Sequence, residues 1–304
     1  MIHRDNDTWH IGRTFRLPPG QRQSTRFHYI FQSSVAIERT HRSCAMKVFV
    51  LLVCLVIGGT RCARLRRLVG AEDIEITKVP YQVSIRYNDY HICGGTLISG
   101  RHVLTAAHCV ANLFEEPYED LTVVTGTASL KSGGETHDVE AVTWHDKFIN
   151  GLESCWVNDI AVITLNGTVT QNEKQKAIRL PAKTQANVTG VISGFGRTDP
   201  QNSFLSNTLK GTTTRILTNA KCREIITKHK ILETQICGWQ PKGIGICKGD
   251  SGGPLAFNGT IVGVASWNQP CGLGIPDVYT NVYDYLDFIE RVVEGQESNQ
   301  VDES

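Results

Sequence analysis

Methionine is almost absent from this sequence: 304 residues carry only two, Met1 and Met46. An excess of charge of one sign is missing as well. Thirty-one Lys and Arg stand against 30 Asp and Glu, a formal net charge of +1, which gives a nucleic acid or an anionic membrane no electrostatic hold. No apolar run is long enough to span a bilayer. None of the 10 cysteines belongs to a CxxC pair, the compact spacing of zinc frameworks, which argues against structural zinc. There is no internal repeat and no low-complexity tract. What is present is an apolar share of 40%, ample for a large core.

The scarcity of methionine gives Met46 weight. It opens MKVFVLLVCLVIGGTRC, residues 46–62. One positive residue precedes an apolar run of about ten, and small residues follow, which is the layout of a secretory signal. Translation is therefore expected to start at Met46, with 1–45 a non-native extension. The alternatives are an Arg-rich cytoplasmic tail on a short signal anchor, or an organelle presequence; a run of about ten is too short to anchor well. Residues 63–67 form a short basic segment, 68–294 the folded domain, and 295–304 a disordered acidic tail.

Secretion changes how the cysteines read. Cys44 and Cys54 are lost before or with the signal, and Cys62 lies at its border. The seven others are Cys93, Cys109, Cys155, Cys222, Cys237, Cys247 and Cys271. An odd number in an oxidising compartment leaves one without a partner in the mature chain. N-x-T sequons at Asn166, Asn187 and Asn258 permit glycosylation, although Asn258-Gly259 also reads as a hairpin turn.

Short strands and turns dominate the domain. YQVSIRY (81–87) alternates, HVLTAA (102–107) and DIAVITL (159–165) are apolar runs, and IVGVASW (261–267) follows the Asn-Gly turn. Such spacing predicts antiparallel barrels or a sandwich, not βαβ units. Only YDYLDFIERVV (283–293) reads as a helix, with Tyr283, Leu286, Ile289 and Val293 on one stripe.

The chemistry gathers around Gly-Asp-Ser-Gly-Gly at 249–253. This pattern also fits the nucleophile elbow of α/β-hydrolases, which requires a histidine after the serine. The last histidine is His229, before Ser251, so that reading fails and the base must lie upstream. His108 in LTAAHCV stands where an apolar strand turns into a cysteine-bearing corner. Asp159 in NDIAVITL opens an apolar run. Taken alone, such an aspartate is as often a polar cap on a strand. The order His, Asp, Ser argues against coincidence.

Together LTAAHC, NDIAVI, GDSGGP, SWNQPC and PDVYTNV resemble the chymotrypsin-like, trypsin-fold serine endopeptidases over about residues 68–294. The resemblance implies an all-β fold: two antiparallel six-stranded β-barrels with a C-terminal α-helix. It also implies roles. His108 would take the proton of Ser251 and deliver it to the leaving amine. Asp159 would orient the imidazole, and in well-studied members its loss costs about four orders of magnitude in turnover. The Gly249 and Ser251 N–H groups would bind the oxyanion.

Activation would follow cleavage after Arg67, freeing the Leu68 amine to pair with Asp250. The family more often has isoleucine where Leu68 stands, and a second glycine where Ala71 stands. Before the cut, His91 and Ser84 match the positions that hold the acid, although His91 is equally readable as a filler beside a disulfide cysteine. Arg64-Leu65-Arg66-Arg67 suits a trypsin-like or a furin-like activator. Implied disulfides join Cys93 to Cys109, Cys222 to Cys237, and Cys247 to Cys271, leaving Cys155 over.

In the pocket, Gly245 stands where trypsin-like members carry an aspartate, and Asp277 stands where most have glycine. This exchange resembles arthropod chymotrypsin-like and collagenolytic members. Ile246 would add an apolar wall, while Ser266, Trp267 and Asn268 would offer backbone groups to an extended substrate. The reading is a secreted serine endopeptidase made as a zymogen, with chymotrypsin-like or broad specificity. The alternatives are trypsin-like specificity through Asp277, or a non-catalytic serine-protease-homologue binding protein; proteins of that last kind lack a triad residue, and all three stand here. Expected partners are protein or peptide substrates, the activating protease and protein inhibitors, but no nucleic acid. A monomer is expected, with no cofactor and no metal.

Overall fold

The computed structural model describes residues 71–295 apart from Pro200 and Asn202, together with the backbone of 3–5 and 8–10. The signal, the Arg67–Leu68 bond and the acidic tail beyond Gly295 lie outside the described residues. Near the N-terminus, β1 (His3–Asp5) and β2 (Thr8–His10) pair antiparallel.

In the main unit, β3 (Glu72–Asp73) precedes two barrels. The first contains β4 (Gln82–Tyr87), β5 (Tyr90–Leu97), β6 (His102–Thr105), β7 (Leu121–Thr125), β8 (Glu135–Trp144) and β9 (Ala161–Leu165). These close in the order β4-β5-β6-β9-β8-β7, every described pairing being antiparallel. The second contains β10 (Thr189–Gly194), β11 (Lys210–Leu217), β12 (Gln235–Trp239), β13 (Pro254–Phe257), β14 (Thr260–Trp267) and β15 (Asp277–Asn281). Its order is β10-β13-β14-β15-β12-β11; pairing of β10 with β11 closes it, and β3 adds to the edge of β11.

Closure removes sheet edges and turns alternate side chains inward. Val83, Ile85, Leu97, Val103, Leu104, Val123 and Ile163 fill the first barrel, and Ile192, Ile216, Ile236, Leu255, Val262 and Tyr279 the second. Each such side chain contributes about 1.5–3 kcal/mol by leaving water. Asn258 and Gly259, at φ 48° and 72°, form the tight turn between β13 and β14. That is the turn expected for Asn-Gly.

Three sequence expectations need correction. Along β4 the burial does not alternate: Gln82, Val83, Ser84 and Ile85 are all inside. The second barrel covers what would otherwise be the polar face, and Ser193 Oγ donates to Gln82 Oε1 at 2.7 Å. The C-terminal segment begins as a 3-10 turn, Val282–Tyr285, and becomes α-helical only over Leu286–Val293. A 3-10 turn advances about 120° per residue, not 100°, which rotates the buried stripe to Val282, Tyr285, Phe288 and Ile289; Tyr283 and Val293 are exposed. A helix that periodicity missed, α1 (Asn219–Ile225), is capped by Thr218 Oγ1, which accepts the Lys221 amide at 3.2 Å. The C-terminal helix is therefore α2 (Leu286–Val293).

Candidate active site

His108 sits on a 3-10 turn, Ala107–Cys109, directly after β6. The Cys93–Cys109 disulfide ties that turn to β5. Asp159 precedes β9, the strand that pairs with β6, so the register of the sheet brings acid and imidazole together. Asp159 is fully buried. Its Oδ1 accepts the His108 backbone N–H at 2.9 Å, and its Oδ2 lies 2.8 Å from His108 Nδ1. A carboxylate only accepts, so Nδ1 carries the proton and Nε2 is the basic nitrogen of the neutral ring. The Trp156 ring meets the imidazole edge-on at 5.0 Å.

Two further contacts hold the acid. Ser266 Oγ donates to Asp159 Oδ2 at 2.6 Å, and Thr280 Oγ1 to the Asp159 carbonyl at 2.7 Å. Sequence reasoning gave Ser266 only a backbone role. The pattern of a serine on a buried strand carried no signal that its side chain would face an acid from the other barrel.

The Ser251 loop is clamped between the barrels. The Gly94 amide donates to the Ser251 carbonyl at 2.8 Å, and the Gly252 amide to the Ala265 carbonyl at 2.8 Å. Gly252 has φ +74°, and a Cβ there would stand 2.1 Å from Thr105 Oγ1 and 3.1 Å from the Ala106 amide. Only glycine lets the serine loop seat against the strand end that leads into His108. Ser251 Oγ makes no hydrogen bond to another described residue.

Gly249, at φ +98°, packs where a Cβ would meet Leu205 Cδ2 at 2.6 Å. Its carbonyl accepts His91 Nε2 at 2.9 Å, while His91 Nδ1 lies 2.8 Å from Ser84 Oγ. The expected hold of His91 and Ser84 on Asp250 is thus not formed. The pair reaches the carbonyl one residue earlier, because Asp250 turns into a different cradle. Asp250 Oδ1 accepts the Gly196 amide at 2.8 Å, and Oδ2 the Cys247 amide at 2.9 Å. Burial raises the Asp250 carboxyl to about 6 against those two donors. Burial lowers His91 to about 4. Arg67 and Leu68 are outside the described residues.

Disulfides join Cys222 to Cys237 and Cys247 to Cys271, the latter spanning the Ser251 loop and the far side of the pocket. Cys155 is free and buried among the described residues, and its carbonyl accepts Gln235 Nε2 at 2.7 Å. Cys93, His108 and Cys109 bring three potential metal-ligating atoms together. Both sulfurs are locked in a disulfide and offer no thiolate.

The pocket residues converge behind the serine loop. Asp277 is buried; its Oδ2 accepts the Ile246 amide at 3.0 Å and lies 3.1 Å from where a Cβ on Gly245 would stand. The Ile246 side chain packs into the core of the second barrel. Asn268 Nδ2 donates to the Ile246 carbonyl at 2.6 Å, so the pocket side of Asn268 is a side chain, not backbone alone. The Trp267 indole meets His229 edge-on at 5.8 Å.

A closed pair of antiparallel barrels with a buried acid on an imidazole between them defines a chymotrypsin-like serine protease. The family profile described as Trypsin matches residues 68–289. The chain belongs to the trypsin family and is a serine endopeptidase. It is 33% identical over 229 residues to trypsin epsilon of Drosophila erecta, covering 74% of this chain and 87% of that one. To chymotrypsin-2 of Vespa crabro it is 34% identical over 227 residues, covering 74% and 99%. A solved structure of neuropsin, a serine protease expressed in the limbic system of mouse brain, superposes with a TM-score of 0.67 at 29% identity, covering 73% and 98%. One relative is named a trypsin and another a chymotrypsin, so specificity must be argued from this chain's own pocket.

Proposed function

We propose that this protein is a secreted endopeptidase, made as a zymogen, that hydrolyses peptide bonds through an acyl-enzyme on Ser251. The observation that carries the reading is the 2.8 Å contact of His108 Nδ1 with a fully buried Asp159 Oδ2. That contact leaves Nε2 to take the Ser251 proton and return it to the leaving amine. Catalytic hydrogen bonds to the nucleophile often tighten only when substrate is bound. Gly249 and Ser251 amides would hold the oxyanion.

Residues 46–62 would direct secretion, and 63–67 would be removed by a trypsin-like or furin-like protease after Arg67. The released Leu68 amine would then pair with Asp250. This acid is 2% exposed and has two amide donors but no cation in the described structure, which is the condition a buried carboxylate would improve by gaining one. Substrate would lie along Ser266, Trp267 and Asn268, with its side chain entering between Gly245 and Asp277. The preference is chymotrypsin-like or broad: the pocket floor is a glycine, and the acid Asp277 is set into the wall.

The test is a peptide-library digest by the activated protein with and without a serine-directed fluorophosphonate, alongside Ser251→Ala. Expected are label on Ser251, loss of cleavage in the labelled and Ala proteins, and cuts after aromatic and leucine residues. Cleavage that persists in the Ala variant overturns the reading.

A further inference from the structure

Asp277 is 3% exposed, and its carboxyl forms no ion pair among the described residues. The Ile246 amide is its main donor, at 3.0 Å, with the Asn268 amide group alongside. The ionisable groups around it can be named element by element. Its own strand β15 brings Tyr279, whose hydroxyl is buried and unpartnered. The loop before Ser251 brings Asp250, a like charge that repels it; Lys242 and Lys248 on that stretch are exposed at the surface. Strands β12 and β14 and the 268–276 loop carry no ionisable side chain except disulfide-bonded Cys237 and Cys271.

A buried carboxylate so thinly compensated favours its neutral form. Resting on the pocket assignment above, we propose that the proton on Asp277 decides which side chains the pocket accepts. With the proton in place, that wall of the pocket is neutral and suits aromatic and leucine side chains. With the proton gone, it is a buried anion that only a guanidinium or ammonium group satisfies. The neighbourhood explains why this exchange falls in an accessible range: burial first, and Asp250 with it, push the carboxyl up to about 8. A cationic side chain entering the pocket must therefore expel a proton at neutral pH. An apolar one need not.

The experiment measures kcat/KM of the full activated protein on two peptides that differ only at the residue before the cut, Arg or Phe, from pH 6 to 10. Their ratio cancels every titration that both substrates share. The expected Arg-to-Phe ratio rises about tenfold per pH unit across this range, because cleavage after Arg draws on the ionised carboxyl and cleavage after Phe on the neutral one. In Asp277→Asn, with fluorophosphonate labelling as the check that the site is assembled, the ratio is low and has no slope. A flat ratio in the native protein, or an unchanged slope in the Asn variant, overturns the proposal. Cleavage after Phe with Arg refused at every pH overturns it alone and leaves the protease reading standing. Hydrolysis of neither peptide by labelled-competent protein overturns the pocket assignment itself.

Discussion

Ser266 Oγ and His108 Nδ1 converge on one oxygen, Asp159 Oδ2, at 2.6 and 2.8 Å. The acid is thereby held from both barrels at once. Replacing Asp159 by Asn exchanges one acceptor oxygen for an amide that donates, which favours the wrong imidazole tautomer. Turnover is expected to fall by about four orders of magnitude, the figure known for this type of triad. Ser266→Ala removes a single charge-assisted bond, worth about 1.5–3 kcal/mol. Its expected signature is a fall in kcat of about tenfold with KM little changed, because the bond fixes the acid in position against the imidazole and does not touch substrate. Steady-state kinetics separates the two variants.

Gly196 is needed for a different reason. A Cβ at Gly196 would stand 2.3 Å from Asp250 Oδ2, and its amide donates to Oδ1 of the same carboxyl at 2.8 Å. An alanine there cannot be accommodated by a flexible chain end, because Asp250 is fixed by the Cys247 amide as well. Gly196→Ala is expected to displace Asp250 and the adjoining Gly249 amide, lowering kcat/KM at least a hundredfold, as the loss of one oxyanion donor does. Far-UV circular dichroism should stay native. Wild-type kinetics in a folded variant would disprove the account.

Burial raises Asp250 to about 6 in the fold from an ordinary value of 3.8. The folded chain therefore binds a proton that the unfolded chain releases between about pH 4 and pH 6. Stability from this group is fully present below about 4 and is lost as pH rises through about 6. The cut at Arg67 should reverse this trend, since a paired Leu68 amine favours the ionised acid. Thermal melts of Ser251→Ala protein, uncut and cut, should diverge above pH 6, with the cut form higher. In the active enzyme, activity should fall in alkali as the Leu68 amine, which titrates near 8 when free, loses its proton. Parallel melts and a flat activity profile to about pH 11 would contradict the pairing.

What could be read in advance was whatever local chemistry dictates. The Asn258-Gly259 turn, the apolar strands around it, and the corner after LTAA are set by residues within a few positions of one another. Contacts made across the chain were not readable. Gln82 and Ser84 look like the wet face of a strand until the second barrel covers them. His91 was expected on Asp250 and instead meets the Gly249 carbonyl, a difference of one residue that depends on where the Gly194 and Gly196 backbone lets the carboxyl turn. Helix α1 spans seven residues, too few to show a period, and is held by its Thr218 cap and the Cys222–Cys237 bridge. Trp156 adopts φ +51°, a backbone choice that sequence does not favour for a bulky ring and that sets it against His108.

The Cys93–Cys109 bridge ties β5 to the turn bearing His108 across 16 residues. A closed loop of about that length stabilises a fold by about 3 kcal/mol in the chain-entropy account. For a domain of this size that corresponds to a drop in Tm of roughly 6–12 °C when both cysteines become alanine. Stability is only half of the expectation. Gly94, next to Cys93, also donates to the Ser251 carbonyl, so slack in β5 is transmitted to the serine loop as well as to the imidazole. The double variant should therefore lose kcat at temperatures well below its own Tm, whereas removal of Cys222–Cys237, which braces α1 and touches neither His108 nor Ser251, should lower Tm and spare kcat. Calorimetry and kinetics on the two double variants at about 20 °C distinguish these outcomes, and equal losses of kcat would show that the first bridge has no positioning role.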